Sequence, residues 1–179
     1  MKQAIVLMGP TGSGKSTVAR ILAEELGFHH VSTGDIARQL IAEGGDDSWQ
    51  ALGLPAPEDE IRAGFIRAIE GHDLVVVDGM PRKIEQVYFL QEHFDHIDAV
   101  ELKATRETVL GRLLDRGRVD DKEKTVRAKL RRYTRTQIHI TRAIKEELLE
   151  GTVYKRYIMI GVDSRTPQQI ASIIENQLV

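Results

Sequence analysis

Within Gly9-Pro10-Thr11-Gly12-Ser13-Gly14-Lys15-Ser16 the chain sets three glycines, a lysine and a terminal hydroxyl close together. Glycine lets the backbone curl so that successive N–H groups point inward, which makes a nest for anionic oxygens. Lys15 adds a full positive charge, and a helix starting beside it adds the positive end of its dipole. The Ser16 hydroxyl can ligate a divalent cation, and Ser13 and Thr17 lie in the same stretch. The spacing matches G-x-x-x-x-G-K-[ST], a triphosphate cradle in which the lysine holds the β and γ phosphates. The plain alternative is a glycine-rich surface turn, and the flanks argue against it. Ala4–Met8 is a continuous apolar run, and Val18, Ile21, Leu22 and Leu26 have helical spacing, the strand-loop-helix context that the motif requires. The motif leaves the phosphoryl acceptor open, because motors, GTPases, regulatory ATPases and small-molecule kinases all carry it.

The elements around this loop follow from the same periodicities. Phe28–Val31, Leu74–Asp78, Ile97–Lys103 and Tyr157–Val162 read as further strands, the second rich in β-branched residues. Helical spacing covers Ile36–Ala42, Glu58–Ile69, Ile84–Phe94, Arg106–Arg116 and a long charged region over about 122–150. Thr166-Pro167-Gln168-Gln169 opens a last helix, with Thr as cap and Pro at the first position. Strands alternating with helices predict an α/β fold around a five-stranded parallel sheet. No linker or repeat divides residues 1–179, so a single domain is expected, with the irregular pieces 44–57 and 117–122 as insertions on one core.

Composition narrows the class. Hydrophobic residues make up 41% and charged residues 29%, as in an ordinary soluble globular protein. The formal charge of −2 points to neither a nucleic acid nor a membrane as partner. Seven Lys or Arg lie between Arg127 and Lys145, but they are spread around the helix and followed by Glu146 and Glu147, as on a solvated face. The absence of cysteine excludes disulfides and cysteine-ligated zinc. His29, His30, His93 and His96 lack metal-ligand spacing and read as surface residues. The N-terminal apolar segment is too short for a membrane span, and a cytoplasmic location is expected.

Three further segments follow the glycine loop in order: STGDIAR (32–38), DGMPRKIEQ (78–86) and RLLDRGRVDD (112–121). With them the chain resembles the nucleoside monophosphate kinases, most closely the adenylate kinases. The resemblance implies a three-layer P-loop kinase fold, a small acceptor-binding insertion at about 33–70 and a very short lid at about 116–122. It implies ATP as phosphoryl donor with Mg²⁺, AMP or dAMP as acceptor, and a monomer. Gly9, Gly12, Ser13, Gly14, Lys15, Ser16 and Thr17 would hold ATP, with Arg112 beside its adenine. Arg38 and Arg82 would clamp the acceptor phosphate, a task that suits the paired donors and permanent charge of guanidinium. Gln86 would read the acceptor base, Thr33 would bias it toward adenine, and Gly34 and Gly79 belong to the same site. Arg116 and Arg118 would join Lys15 and Arg82 at the transferring phosphoryl group, where charge peaks. Asp120 and Asp121 would organise those arginines. Ser16 would ligate Mg²⁺, with Asp78 and Asp35 holding it through water. No general base is required, since the attacking phosphate oxygen is already anionic.

The chain departs from the family at several positions. Only Gly117 separates Arg116 from Arg118, so the lid is shorter than usual, and a leaky site would hydrolyse ATP without acceptor. Lys129 replaces an arginine of the phosphate path, with Arg132 on the same helix face; its other reading is the outer face of the helix. Met80 stands for an aromatic residue, Ser16 for a glycine, and Trp49 reads as a packing anchor in the insertion. Two rival functions stay open: a kinase for a pyrimidine monophosphate or another small metabolite, and a regulatory ATPase.

Overall fold

The apolar runs become the middle of a sheet. β1 (Gln3–Met8) lies between β3 (Leu74–Asp78) and β4 (His96–Lys103), and Ala4–Met8 is buried on both faces. β2 (His29–Ser32) pairs with the outer side of β3, and β5 (Tyr154–Gly161) with that of β4. The five-stranded sheet has the order β2-β3-β1-β4-β5, and every pairing is parallel. The computed structural model describes residues 1–44, 48, 56–116 and 123–178.

Alternate residues of one strand feed opposite layers, as a period of two requires. Ile5, Leu7 and Val76 pack against α1 (Lys15–Leu26) and α7 (Pro167–Leu178) through Val18, Leu22, Ile170 and Ile174. Ala4, Val6, Val75 and Val77 face α3 (Glu58–Ile69), α4 (Ile84–Gln91) and α6 (Glu123–Leu149) through Phe65, Val87, Leu90, Ile140 and Ile144. α2 (Thr33–Ala42) follows β2 directly, and α5 (Arg106–Arg116) joins α6 through Val109, Leu113 and Val126. The helices on the two faces of the parallel sheet confirm the expected α/β class.

Register decides where chemistry can occur. Leu7, Asp78 and Ser32 lie level across β1, β3 and β2. The glycine loop, Gly79 and Thr33 therefore emerge side by side at the carboxyl ends of neighbouring strands. The chain leaves β1 toward one side and reaches β4 on the other, and such a switch opens a crevice at that edge.

Three expectations change. α4 ends at Gln91, not Phe94, because the His93 and Phe94 N–H groups both turn back to the Leu90 carbonyl and Asp95 N–H joins the Lys2 carbonyl. β5 begins at Tyr154, before Tyr157, its first residues masked in sequence by the charges of Lys155 and Arg156. The four histidines are partly buried: His29 stacks on His72 at 3.7 Å, His93 Nδ1 lies 2.9 Å from the Phe89 carbonyl, and His96 Nε2 lies 2.9 Å from Asp98 Oδ2. Among the described residues no helix is long and apolar enough to cross a membrane.

Candidate active site

The glycine loop is closed by the Ser13 N–H, which donates to the Pro10 carbonyl at 3.1 Å. Gly12 and Gly14 take φ of +83° and +93°, and a Cβ on Gly12 would stand 2.9 Å from Leu113 Cγ. Gly14 is the N-cap of α1 and no side chain caps that helix, so its first amides face the cleft as an anion site. Lys15 Nζ donates to the Pro10 carbonyl at 2.9 Å, folded over the loop. Arg112 reaches from α5 to the same place. Its Nη1 donates to the Ser13 carbonyl and its Nη2 to the Val162 carbonyl, both at 3.3 Å. The turn after β5 is fixed in turn by Asp163, whose Oδ1 accepts from the Thr105 N–H and hydroxyl at 3.0 Å each. In the sequence Val162 was only the end of an apolar run, and Asp163 had no signal beyond following it.

Asp78 ends β3 beneath the loop. Its Oδ2 accepts from the Ser16 hydroxyl at 2.5 Å, while Oδ1 is buried with no hydrogen-bond partner among the described residues. A buried carboxylate oxygen left unpaired is costly, so this atom is suited to receive a further ligand. Among the described residues no three His, Cys, Asp or Glu cluster as a metal cage. A magnesium ion needs none: it keeps most of its water and takes one carboxylate or hydroxyl plus phosphate oxygens. Ser16 and Asp78 fit that pattern. Asp35 is instead turned to Arg38 in a close ion pair. Burial pushes the Asp35 carboxyl up, but the hydrogen bond and charge of Arg38 outweigh it and hold the group below the usual carboxylate range.

The opposite wall is built from α2, the turn after β3 and α4. Ser32 caps α2, its Oγ accepting from the Asp35 N–H at 3.3 Å. The Thr33 hydroxyl donates to the Asp78 carbonyl at 3.4 Å. Gly79 takes φ of +89°, and a Cβ there would lie 2.5 Å from Thr33 Oγ1. Arg82 Nε donates to the Gly79 carbonyl at 2.6 Å, and the Arg82 backbone N–H donates to Gln86 Oε1 at 2.6 Å. Gln86 is buried. Its Nε2 donates to both Glu58 oxygens, at 3.0 and 3.1 Å. Sequence reasoning missed Glu58, since an acidic residue in a helix's first turn is commonplace.

One cleft of about 490 Å³ joins the two walls, with Lys15 and Ser16 on one side and Gly34, Arg38, Gly79 and Arg82 on the other. Lys129 and Arg132 line it as well, so α6 turns them inward, and the outer-face reading of Lys129 is set aside. Other basic residues of α6 do face out, Arg127 and Arg142 pairing with Glu123 and Glu146 of the same helix. Tyr133 lines the cleft too, and its hydroxyl donates to the fully buried Glu101 at 2.8 Å. Lys103, Tyr157 and Thr141 complete the ring of donors around that carboxylate. Arg116 closes α5 in its main chain, but its side chain lies outside the described residues, as do Trp49, Gly117, Arg118, Asp120 and Asp121.

Comparison with known proteins agrees with this geometry. A family model described as an AAA domain matches residues 8–127. Adenylate kinase 1 of Synechocystis is 39% identical over 147 residues, covering 75% of this chain and 79% of the relative. Adenylate kinase of Corynebacterium urealyticum is 36% identical over 143 residues, covering 72% and 78%. That of Corynebacterium aurimucosum is 34% identical over 171 residues, covering 83% and 91%. Likeness of that degree, over most of both chains, makes this chain a member of the nucleoside monophosphate kinases of the adenylate kinase kind.

Proposed function

We propose that this chain transfers the γ-phosphoryl group of ATP to AMP or dAMP in a single in-line step. The observation that carries the reading is the continuous cleft with a glycine loop on one side and two arginines on the other. An α-phosphate oxygen of the acceptor attacks the γ phosphorus, the bond from that phosphorus to the β–γ bridging oxygen breaks, and two diphosphates result. The attacking oxygen is anionic, so the protein has no proton to remove. Its work is positioning and neutralisation. Lys15 and the amides of α1 hold the β and γ phosphates. Arg38 and Arg82 hold the acceptor phosphate in line, and Lys129 and Arg132 add positive charge to the cleft. Bound Mg²⁺, held by Ser16 and by Asp78 through water, would neutralise charge on the donor phosphates. Residues 1–179 act as one domain in this reading, with an acceptor lobe at about 33–70 and a short lid at about 116–122.

The test is to mix ATP and Mg²⁺ separately with AMP, dAMP, CMP, UMP, GMP and dTMP. Diphosphate is expected from AMP and dAMP. Release of inorganic phosphate in step with ADP, whichever acceptor is present, would mean an ATPase, and a product from CMP or UMP alone would move the acceptor to pyrimidines.

A further inference from the structure

Glu58 stands at the first helical position of α3 and sends its carboxylate across to α4, where it receives Gln86 Nε2. The orientation of the Gln86 amide can be read from its two partners. A backbone N–H such as that of Arg82 only donates, so Oε1 must face it; an ionised carboxylate only accepts, so Nε2 must face Glu58. Reversing the amide would set N–H against N–H and oxygen against oxygen. Glu58 is kept ionised by Arg62 at 3.1 Å and Lys83 at 3.2 Å. Burial pushes its carboxyl up, and hydrogen bonds from Gln86, Arg62 and Lys83 bring it below the usual range.

Beside the amide lies a recess of about 70 Å³, lined by Thr33, Ala56, Ile61 and Gly79 as well as Glu58 and Gln86. Gln86 retains one lone pair on Oε1 and one N–H on Nε2 for whatever enters it. A 6-aminopurine offers an amino donor next to a ring-nitrogen acceptor, which matches a fixed oxygen and a fixed N–H. A 6-oxopurine of the same shape offers a carbonyl next to an N–H and opposes the amide at both points. We propose that Glu58 is a positioning residue that sets the Gln86 amide and thereby makes the recess prefer a 6-aminopurine monophosphate to a 6-oxopurine one. This rests on the reading of the recess as the acceptor base site.

The test compares AMP with IMP as acceptors for the full chain and for Glu58→Gln, whose amide matches the carboxylate in shape but can also donate. A donor at position 58 removes one of the two clashes that oppose a reversed Gln86, leaving the Arg82 N–H alone to hold the amide. The ratio of kcat/KM for AMP over IMP is expected to fall about tenfold, the equivalent of losing roughly one hydrogen bond. The loss should appear in the acceptor KM, with the KM for ATP held within about twofold on the separation of the two sites. Glu58→Ala, which removes the acceptor without supplying a donor, should lose part of the same ratio and serves if the first variant does not fold. A lowered melting temperature with an unchanged ratio in both variants makes Glu58 a structural tie between α3 and α4, and overturns the proposal. If the unsubstituted chain phosphorylates neither AMP nor IMP, the kinase reading fails first and takes the proposal with it.

Discussion

Gly79 shows how one backbone angle can set a site. Its φ of +89° and the Thr33 hydroxyl leave no room for a side chain. Gly79→Ala is expected to cost about 1–2 kcal/mol in stability from the left-handed backbone alone. The new methyl group must also displace Thr33, so the acceptor KM should rise while the KM for ATP holds; urea denaturation and steady-state kinetics check the two halves. Lys15, Ser16 and Asp78 were legible because their chemistry depends on local spacing or on the end of an apolar strand. Glu58 was not, because its partner Gln86 is 28 residues away and acids are ordinary at helix starts. Asp35 pairs with Arg38, a contact one helical turn along that the sequence allowed but did not single out.

The seam between β4 and α6 is built around a buried carboxylate. Glu101 is one of two fully buried carboxylates in β4, the other being Asp98, and Tyr133, Thr141, Lys103 and Tyr157 surround it with donors. Burial pushes both tyrosine hydroxyls far above their usual range, so they remain protonated and keep donating. Burial also pushes the Glu101 carboxyl up, but the hydrogen bonds from Lys103, Tyr157 and Tyr133 prevail and leave it below its ordinary 4.5. A lowered folded value gives stability that is present above the unfolded value and is lost as pH falls through the folded one. Glu101→Gln should therefore cost about 1–3 kcal/mol near neutrality and flatten the fall in stability expected of the unsubstituted chain below about pH 4.5. Denaturant titrations at pH 7 and at successive steps below pH 4.5 measure both. Glu101 lies within the Ile97–Lys103 strand and was not singled out in the sequence. Its donors come from a helix and an edge strand whose register periodicity could not supply, and the start of β5 was missed for the same reason.

At the scale of the whole molecule, alternation of strands and helices made the parallel sheet legible, but not which strand lies beside which. That order puts β3 between β1 and β2, so donor and acceptor loops rise from adjacent strands. Each nucleotide should therefore stabilise the fold on its own account. A ligand at one hundred times its Kd adds about 2.7 kcal/mol, which for a chain of this size raises Tm by roughly 5–10 °C. Arg38→Ala should abolish the rise given by AMP and keep the rise given by ATP, as scanning calorimetry would show; loss of both would mean a shared site. Asp78 and Gly79 are consecutive residues, and in the proposed reaction the first would face the donor side and the second the acceptor side. A trans peptide fixes their Cα atoms about 3.8 Å apart. In that reading a covalent link ties the floors of the two half-sites together, so their backbones cannot separate at this point. A descendant of this chain that took up a new acceptor would inherit the link unchanged.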